Sequence, residues 1–127
     1  MAAMFWDQRV ETMDRPTLAA LQLRQLQDTV RRCSERVAFY RQKFAEAGVQ
    51  PGQIQTLEDV RRLPFTTNAD LRAQYPDGLV AVDRRELARL HTSSGTTGKP
   101  KALFFSRGDV ERAADLIARC LLMTGVT

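Results

Sequence analysis

The chain has 127 residues, of which 43% are hydrophobic and 27% are charged, and its formal net charge is +4. These totals are typical of one globular domain, and no apolar run approaches the roughly 18 residues that a membrane span needs. The N-terminus lacks the apolar segment of a secretion signal, so we expect a cytoplasmic protein with no membrane partner. The mild charge and scattered arginines do not indicate a nucleic-acid partner either.

The two cysteines, Cys33 and Cys120, fall on apolar faces of predicted helices. In a chain with no sign of export, we expect two buried thiols rather than a disulfide. One histidine and two distant cysteines cannot form a structural zinc site, so no metal-ligating residue is predicted.

The first half of the chain reads as helix from Asp14, which can cap the first turn ahead of Pro16. Apolar residues then recur at alternating steps of four and three over 26–47, which places them on one face. They are Leu26, Val30, Cys33, Val37, Tyr40, Phe44 and Ala47. Gly48 ends this segment. One continuous helix and two helices that meet near residues 38–39 both fit the pattern.

Three later helix starts share a Ser or Thr followed three residues on by Asp, which is a capping signature. The pairs are Thr56/Asp59, Thr67/Asp70 and Ser106/Asp109. Pro64 and the "YPDG" turn at 75–78 end the first two helices early, and Gly125 is the predicted C-cap of the third.

Short strands are predicted on both sides of a polar loop, "LARLHT" at 87–92 and "KALFF" at 101–105. The predicted fold class is therefore α/β, with a helical lead-in followed by strand, loop, strand and helix. Two strands are too few for an independently stable sheet, so we expect an incomplete piece of a larger domain.

The loop itself, "SSGTTGKP" at 93–100, combines short hydroxyl side chains, two glycines and a lysine. Glycines let backbone N–H groups converge on one point, and a lysine binds phosphate as a point charge, so the loop predicts a polyphosphate site to which Lys101 can add charge. It is not the common P-loop, which would have Gly at 93 and Ser or Thr at 100. The alternative is a hairpin turn that carries a lysine by chance.

"SSGTTGKPK" resembles the phosphate-binding signature of adenylate-forming enzymes, and within them the phenylacetate–CoA ligase family. The resemblance extends in order through "ETM" at 11–13, "LQLRQLQ" at 21–27, "FYRQKFAEAGV" at 39–49, "LEDVRRLPFTTNADLR" at 57–72 and "YPDGLVAV" at 75–82. It identifies the chain as the N-terminal portion of an AMP-binding domain. Residues 1–85 would be the mainly helical lead-in, and 86–127 the phosphate-loop segment.

The resemblance implies an ATP-dependent ligase that forms an acyl-adenylate from a small carboxylic acid and passes the acyl group to coenzyme A, with Mg²⁺ as cofactor. It implies that the ATP phosphates are held by Ser93, Ser94, Gly95, Thr96, Thr97, Gly98 and Lys99. Catalytic residues are expected beyond Thr127, so the fragment should not be active alone. Thr92, Lys101 and "LFFSRGD" depart from the usual pattern, which leaves open an aryl or an alkyl acid as substrate.

Other residues have simpler interpretations. His91 is expected to be a partly buried strand-end residue, because no partner acid or nucleophile is evident. Trp6 and Phe5 are expected to hold the N-terminal arm against the body. The rival function is a non-catalytic helical interaction or dimerisation module that pairs through the 26–47 stripe. The same stripe could also serve a homodimer of the ligase.

Overall fold

A computed structural model describes residues 5–93 and 100–125. The helices are α1 (Gln8–Glu11), α2 (Arg15–Arg36), α3 (Ala38–Glu46), α4 (Asn68–Ala73) and α5 (Arg107–Met123). The strands are β1 (Leu87–Thr92) and β2 (Ala102–Ser106), and short 3₁₀ helices cover Pro51–Gln53, Leu57–Arg62 and Arg84–Glu86. No helix in these two ranges is long and apolar enough to cross a membrane.

The long N-terminal helical stretch is two helices, which meet at Val37. That residue has extended backbone angles, φ −120° and ψ 108°, and serves both as C-cap of α2 and as N-cap of α3. Arg41 stabilises the break, because its guanidinium donates to the Ser34 carbonyl at 3.0 Å and to the Glu35 carbonyl at 2.8 Å. Apolar spacing continues across the break, so the sequence pattern alone did not reveal it.

The hydrophobic core lies in the lead-in and joins α2 and α3 to the segment that follows them. Val30, Phe44, Val49 and Ile54 are buried together, and Leu26, Cys33, Tyr40 and Leu63 pack against this cluster. Gly48, at φ +64°, reverses the chain after α3 and lets Val49 turn inward. Gln27 then donates to the Ile54 carbonyl at 2.8 Å, which satisfies a backbone acceptor beside the core.

All three predicted capping boxes are confirmed, at Thr56/Asp59, Thr67/Asp70 and Ser106/Asp109. The first of them opens a 3₁₀ helix rather than an α-helix. The sequence reading missed two further boxes, Gln50/Gln53 at the 3₁₀ helix Pro51–Gln53 and Asp83/Glu86 at the 3₁₀ helix before β1. It also missed α1, whose N-cap Asp7 accepts from the Val10 amide at 3.2 Å.

The two strands pair antiparallel, as a hairpin, and α5 follows β2 directly. His91 opposes Leu103, Thr92 opposes Ala102, and an irregularity in the pairing lies between Leu87 and Arg89. The C-cap of α5 is Thr124, one residue before the predicted Gly125, and Gly125 follows it in the left-handed region at φ +84°.

Helix α5 leaves much of its apolar face uncovered by the part of the chain that the structure describes. Leu116 and Ile117 are 58% and 59% exposed, and Cys120 is also exposed. The prediction of two buried thiols is therefore wrong for Cys120, because no described segment packs over its position. Cys33 is half-buried, and the desolvation that results raises the pKa of its thiol.

The N-terminal arm lies against α5, as predicted for Trp6. The indole Nε1 donates to Asp115 Oδ1 at 3.4 Å, although the side chain remains 54% exposed. Glu11 Oε1 lies 3.3 Å from Arg119 Nε, which gives the arm a second polar contact with the same helix.

Candidate functional site

The candidate site is the end of the hairpin from which the predicted phosphate loop projects. Beyond the Thr92–Ala102 pair, the Ser93 amide donates to the Lys101 carbonyl at 3.1 Å. The Lys101 amide donates in return to Ser93 Oγ at 2.9 Å. Ser93 and Lys101 thus close the base of the loop, and we call these two residues the neck.

Of the predicted phosphate ligands, Ser93 lies at the neck, where its hydroxyl already accepts a backbone hydrogen bond. The other six lie outside the described residues: Ser94, Gly95, Thr96, Thr97, Gly98 and Lys99. The prediction that these six bind phosphate stays a prediction. The strand on each side of the loop, which the sequence predicted, is confirmed.

The side chain of Lys101 reaches from the hairpin to α4. Its Nζ donates to Asn68 Oδ1 at 2.7 Å, a contact between residues 33 positions apart in the sequence. Asn68 is the first residue of α4. In the structure its ammonium is hydrogen-bonded to this amide, and the expectation that Lys101 adds charge to the loop stays a prediction.

Helix α4 is in turn fixed to α3 by an ion pair. Lys43 Nζ lies 2.5 Å from Asp70 Oδ2, and the same ammonium is 5.0 Å from the centre of the Phe39 ring. The Lys43 hydrogen bond, together with the Thr67 amide, lowers the pKa of Asp70 to about 2. Tyr40 adds a hydrogen bond between its hydroxyl and that of Thr66, at 3.0 Å.

His91 is exposed at the end of β1, so the expectation of partial burial is wrong. Its ring lies 4.9 Å from the ring of Phe105, at an interplanar angle of 50°. The cause of the exposure is that the described residues leave this edge of a two-stranded sheet uncovered.

An apolar cavity of about 170 Å³ lies between α4, the 76–82 segment and β2. Leu71, Val80, Val82 and Phe104 line it, with Asp77 and Ser106 as polar neighbours. Sequence reasoning missed this cavity, although the apolar run at 79–82 directly after the "YPDG" turn was a visible signal. The cavity shows that α4 and the hairpin face one another across an apolar space as well as through Asn68 and Lys101.

Among residues 5–93 and 100–125, no three His, Cys, Asp or Glu side chains lie close enough together to hold a metal ion.

Comparison with known proteins decides which family this arrangement resembles. The chain is 46% identical over 122 residues to the phenylacetate-coenzyme A ligase of Thermus thermophilus. It is 40% identical over 116 residues to the enzyme of the same name from Escherichia coli. The predicted resemblance to the phenylacetate–CoA ligase family is confirmed. The matches cover 96% and 91% of this chain but only 27% and 26% of those relatives, so the chain spans about a quarter of their length.

Solved structures give the same result for the fold. A 2-hydroxyisobutyryl-CoA ligase in complex with 2-HIB-AMP and CoA superposes with a TM-score of 0.83 at 36% identity, over 92% of this chain and 26% of that one. The same ligase in its postadenylation state gives a TM-score of 0.84 at 32% identity, over 97% of this chain. The predicted α/β fold class is confirmed, since the helices and the small antiparallel sheet match a part of an adenylate-forming ligase. No family model matches the chain.

Proposed function

We propose that this chain supplies the phosphate-binding loop of an ATP-dependent acyl-CoA ligase. Such an enzyme forms an acyl-adenylate from a carboxylic acid and ATP, releases pyrophosphate, and transfers the acyl group to coenzyme A. The observation that carries the proposal is the "SSGTTGKP" sequence in a hairpin loop of a chain 46% identical to a phenylacetate-coenzyme A ligase. A chance hairpin turn would not explain similarity along nearly the whole chain.

In this proposal the loop holds the β- and γ-phosphates of ATP through backbone N–H groups, hydroxyls and the Lys99 ammonium. Its contribution to the reaction is electrostatic: it neutralises the departing pyrophosphate and keeps the α-phosphorus in line with the attacking carboxylate. The antiparallel strands support this role, because a paired hairpin closed at its neck presents a short loop from a defined base.

The substrate is proposed to be an aryl or related small carboxylic acid, with coenzyme A as acyl acceptor. The relatives named as phenylacetate-coenzyme A ligases favour the aryl acid, and the structures with a 2-HIB adduct keep an alkyl acid open. Within the proposal, residues 1–85 are the lead-in and 86–127 carry the loop. Because the chain matches about a quarter of these ligases, we do not expect it to complete the reaction alone.

The rival interaction module is not favoured, because the stripe that it would use is already occupied. Val30 and Phe44 are 2% and 6% exposed, and they pack within the chain against Val49 and Ile54. The break at Val37 also interrupts the continuous helix that a coiled coil of three heptads requires. Two chains could pair through this face only if the buried contacts of the core were broken first.

Binding of inorganic pyrophosphate to the chain tests the proposal. We expect ¹⁵N-NMR titration of the wild type to shift the amides of the loop, and Lys99→Ala to weaken binding about tenfold or more, since it removes a charge-assisted contact. Arg72→Ala is the matched control, because it removes one exposed positive charge from α4. Equal affinity in wild type and Lys99→Ala would take the lysine out of the phosphate site.

A further inference from the structure

We propose that Lys101 is a positioning residue of the phosphate loop, with Asn68 as its fixed partner, rather than a second cation for phosphate. The inference rests on the proposed function for its consequence, but it rests on described contacts for its geometry. Lys101 Nζ donates to Asn68 Oδ1 at 2.7 Å, which joins the neck of the loop to the start of α4.

Both the backbone and the side chain of Lys101 hold the neck in place. The backbone of Lys101 exchanges two hydrogen bonds with Ser93 across the base of the loop, and its side chain is bound by Asn68. Lys101 lies directly before β2, so an ammonium held by Asn68 restrains the backbone at the start of that strand. Three contacts at Lys101 therefore hold the backbone where the C-terminal side of the loop joins β2.

Asn68 is a suitable fixed point because α4 is itself tied to the core region. The Thr67 hydroxyl accepts from the Asp70 amide at 3.2 Å, and the Asp70 carboxylate accepts from the Thr67 amide at 2.8 Å, so the first turn of α4 is closed. Asp70 also pairs with Lys43 of α3, the helix that places Phe44 in the core. A continuous series of contacts thus runs from the core through α4 to the neck.

The competing interpretation is that Lys101 binds phosphate beside Lys99. The two roles predict different losses in the two variants. If Lys101 binds phosphate, Lys101→Met loses more affinity than Asn68→Ala, because the ammonium has three donors and keeps its charge without Asn68. If Lys101 positions the loop, Asn68→Ala weakens binding in the same way as Lys101→Met.

The experiment is a double-mutant cycle on the 127-residue chain, read by its affinity for inorganic pyrophosphate. We expect Asn68→Ala and Lys101→Met each to lower the affinity about three- to tenfold, and the double variant to lose no more than either single one. Asn68→Gln, which keeps an uncharged amide oxygen as acceptor, should lose less affinity than Asn68→Ala. A larger loss in Lys101→Met than in Asn68→Ala would overturn the proposal, as would wild-type affinity in both single variants while Lys99→Ala still loses binding.

Amide hydrogen exchange tests the positioning role independently of any ligand. In Asn68→Ala, the amides of Ser93 and Lys101 should exchange about threefold faster or more, whereas those of Phe44 and Ile54 should not change, because the core is intact. Asn68→Asp and Arg72→Ala should leave the neck amides unchanged. If the wild type fails to bind pyrophosphate, the proposed function fails and this measurement still decides the role of Asn68. Unaltered neck exchange in Asn68→Ala would overturn it.

Discussion

Truncation of Ile54, the most deeply buried residue of the described core, should strongly destabilise the fold. Ile54 has 0% exposure and packs among Val30, Phe44 and Val49. Ile54→Val removes one methylene and should cost about 1 kcal/mol of unfolding free energy, while Ile54→Ala leaves a cavity and should cost about 3 kcal/mol. The Gln27 hydrogen bond to the Ile54 carbonyl is made to the backbone, so both variants retain it. The loss expected for Ile54→Ala is a large part of the unfolding free energy of a typical domain, which is about 5–15 kcal/mol.

The assay is urea unfolding followed by circular dichroism, with the slope against denaturant compared between variants. Phe65→Ala is the matched control, because it removes a larger apolar side chain that is 90% exposed, and it should change stability by less than about 0.5 kcal/mol. If Ile54→Ala and Phe65→Ala unfold at the same urea concentration, the core is not where the structure places it.

Two further predictions concern the helix starts. The pKa of Asp70 is lowered to about 2, so its interaction with Lys43 stabilises the fold above about pH 4, and this contribution is lost as the pH falls toward 2. The difference in unfolding free energy between wild type and Asp70→Asn should therefore shrink over the same pH interval, which acid titrations of unfolding measure. Ser106→Ala should lower the free energy of unfolding, measured by urea denaturation, by about 1 kcal/mol, because Ser106 caps α5. Ser106→Thr keeps the hydroxyl, so its stability should stay near that of the wild type. A flat acid profile for the first difference, or equal losses in both Ser106 variants, would contradict these roles.

Local sequence signals predicted the helix starts well because their physics is local. A Ser or Thr and an Asp three residues apart can satisfy first-turn amides whatever surrounds them, and the three predicted pairs all do so. The break at Val37 was not decided in the same way, because it depends on Arg41 reaching back to carbonyls six and seven residues earlier. Apolar spacing carries no information about that contact.

In the candidate site, too, local features could be predicted from the sequence and long-range contacts could not. The strands on each side of the loop could be predicted from their own residues, whereas the phosphate-binding chemistry of the loop stays a prediction. The Asn68–Lys101 contact could not be predicted, because the residues around each of them give no sign of a partner 33 positions away in the sequence. Burial failed as a prediction for His91 and Cys120 for a related reason, since exposure depends on what packs over a strand or helix and not on the residue alone.

The lead-in and the hairpin segment differ in the contacts that stabilise them, and this difference explains why the contacts of α4 are important for the hairpin. The lead-in has its own buried cluster, whereas a two-stranded hairpin is marginal alone and α5 covers it with a face that is itself largely exposed. Besides its contacts with α5, the hairpin also contacts the lead-in directly. Those contacts are the apolar residues around the 170 Å³ cavity and the polar connection from Lys43 through Asp70 and Asn68 to Lys101. Apolar contacts can slide with little loss, whereas a hydrogen bond to one amide oxygen fixes direction, so in our proposal the polar connection is what holds the neck in place.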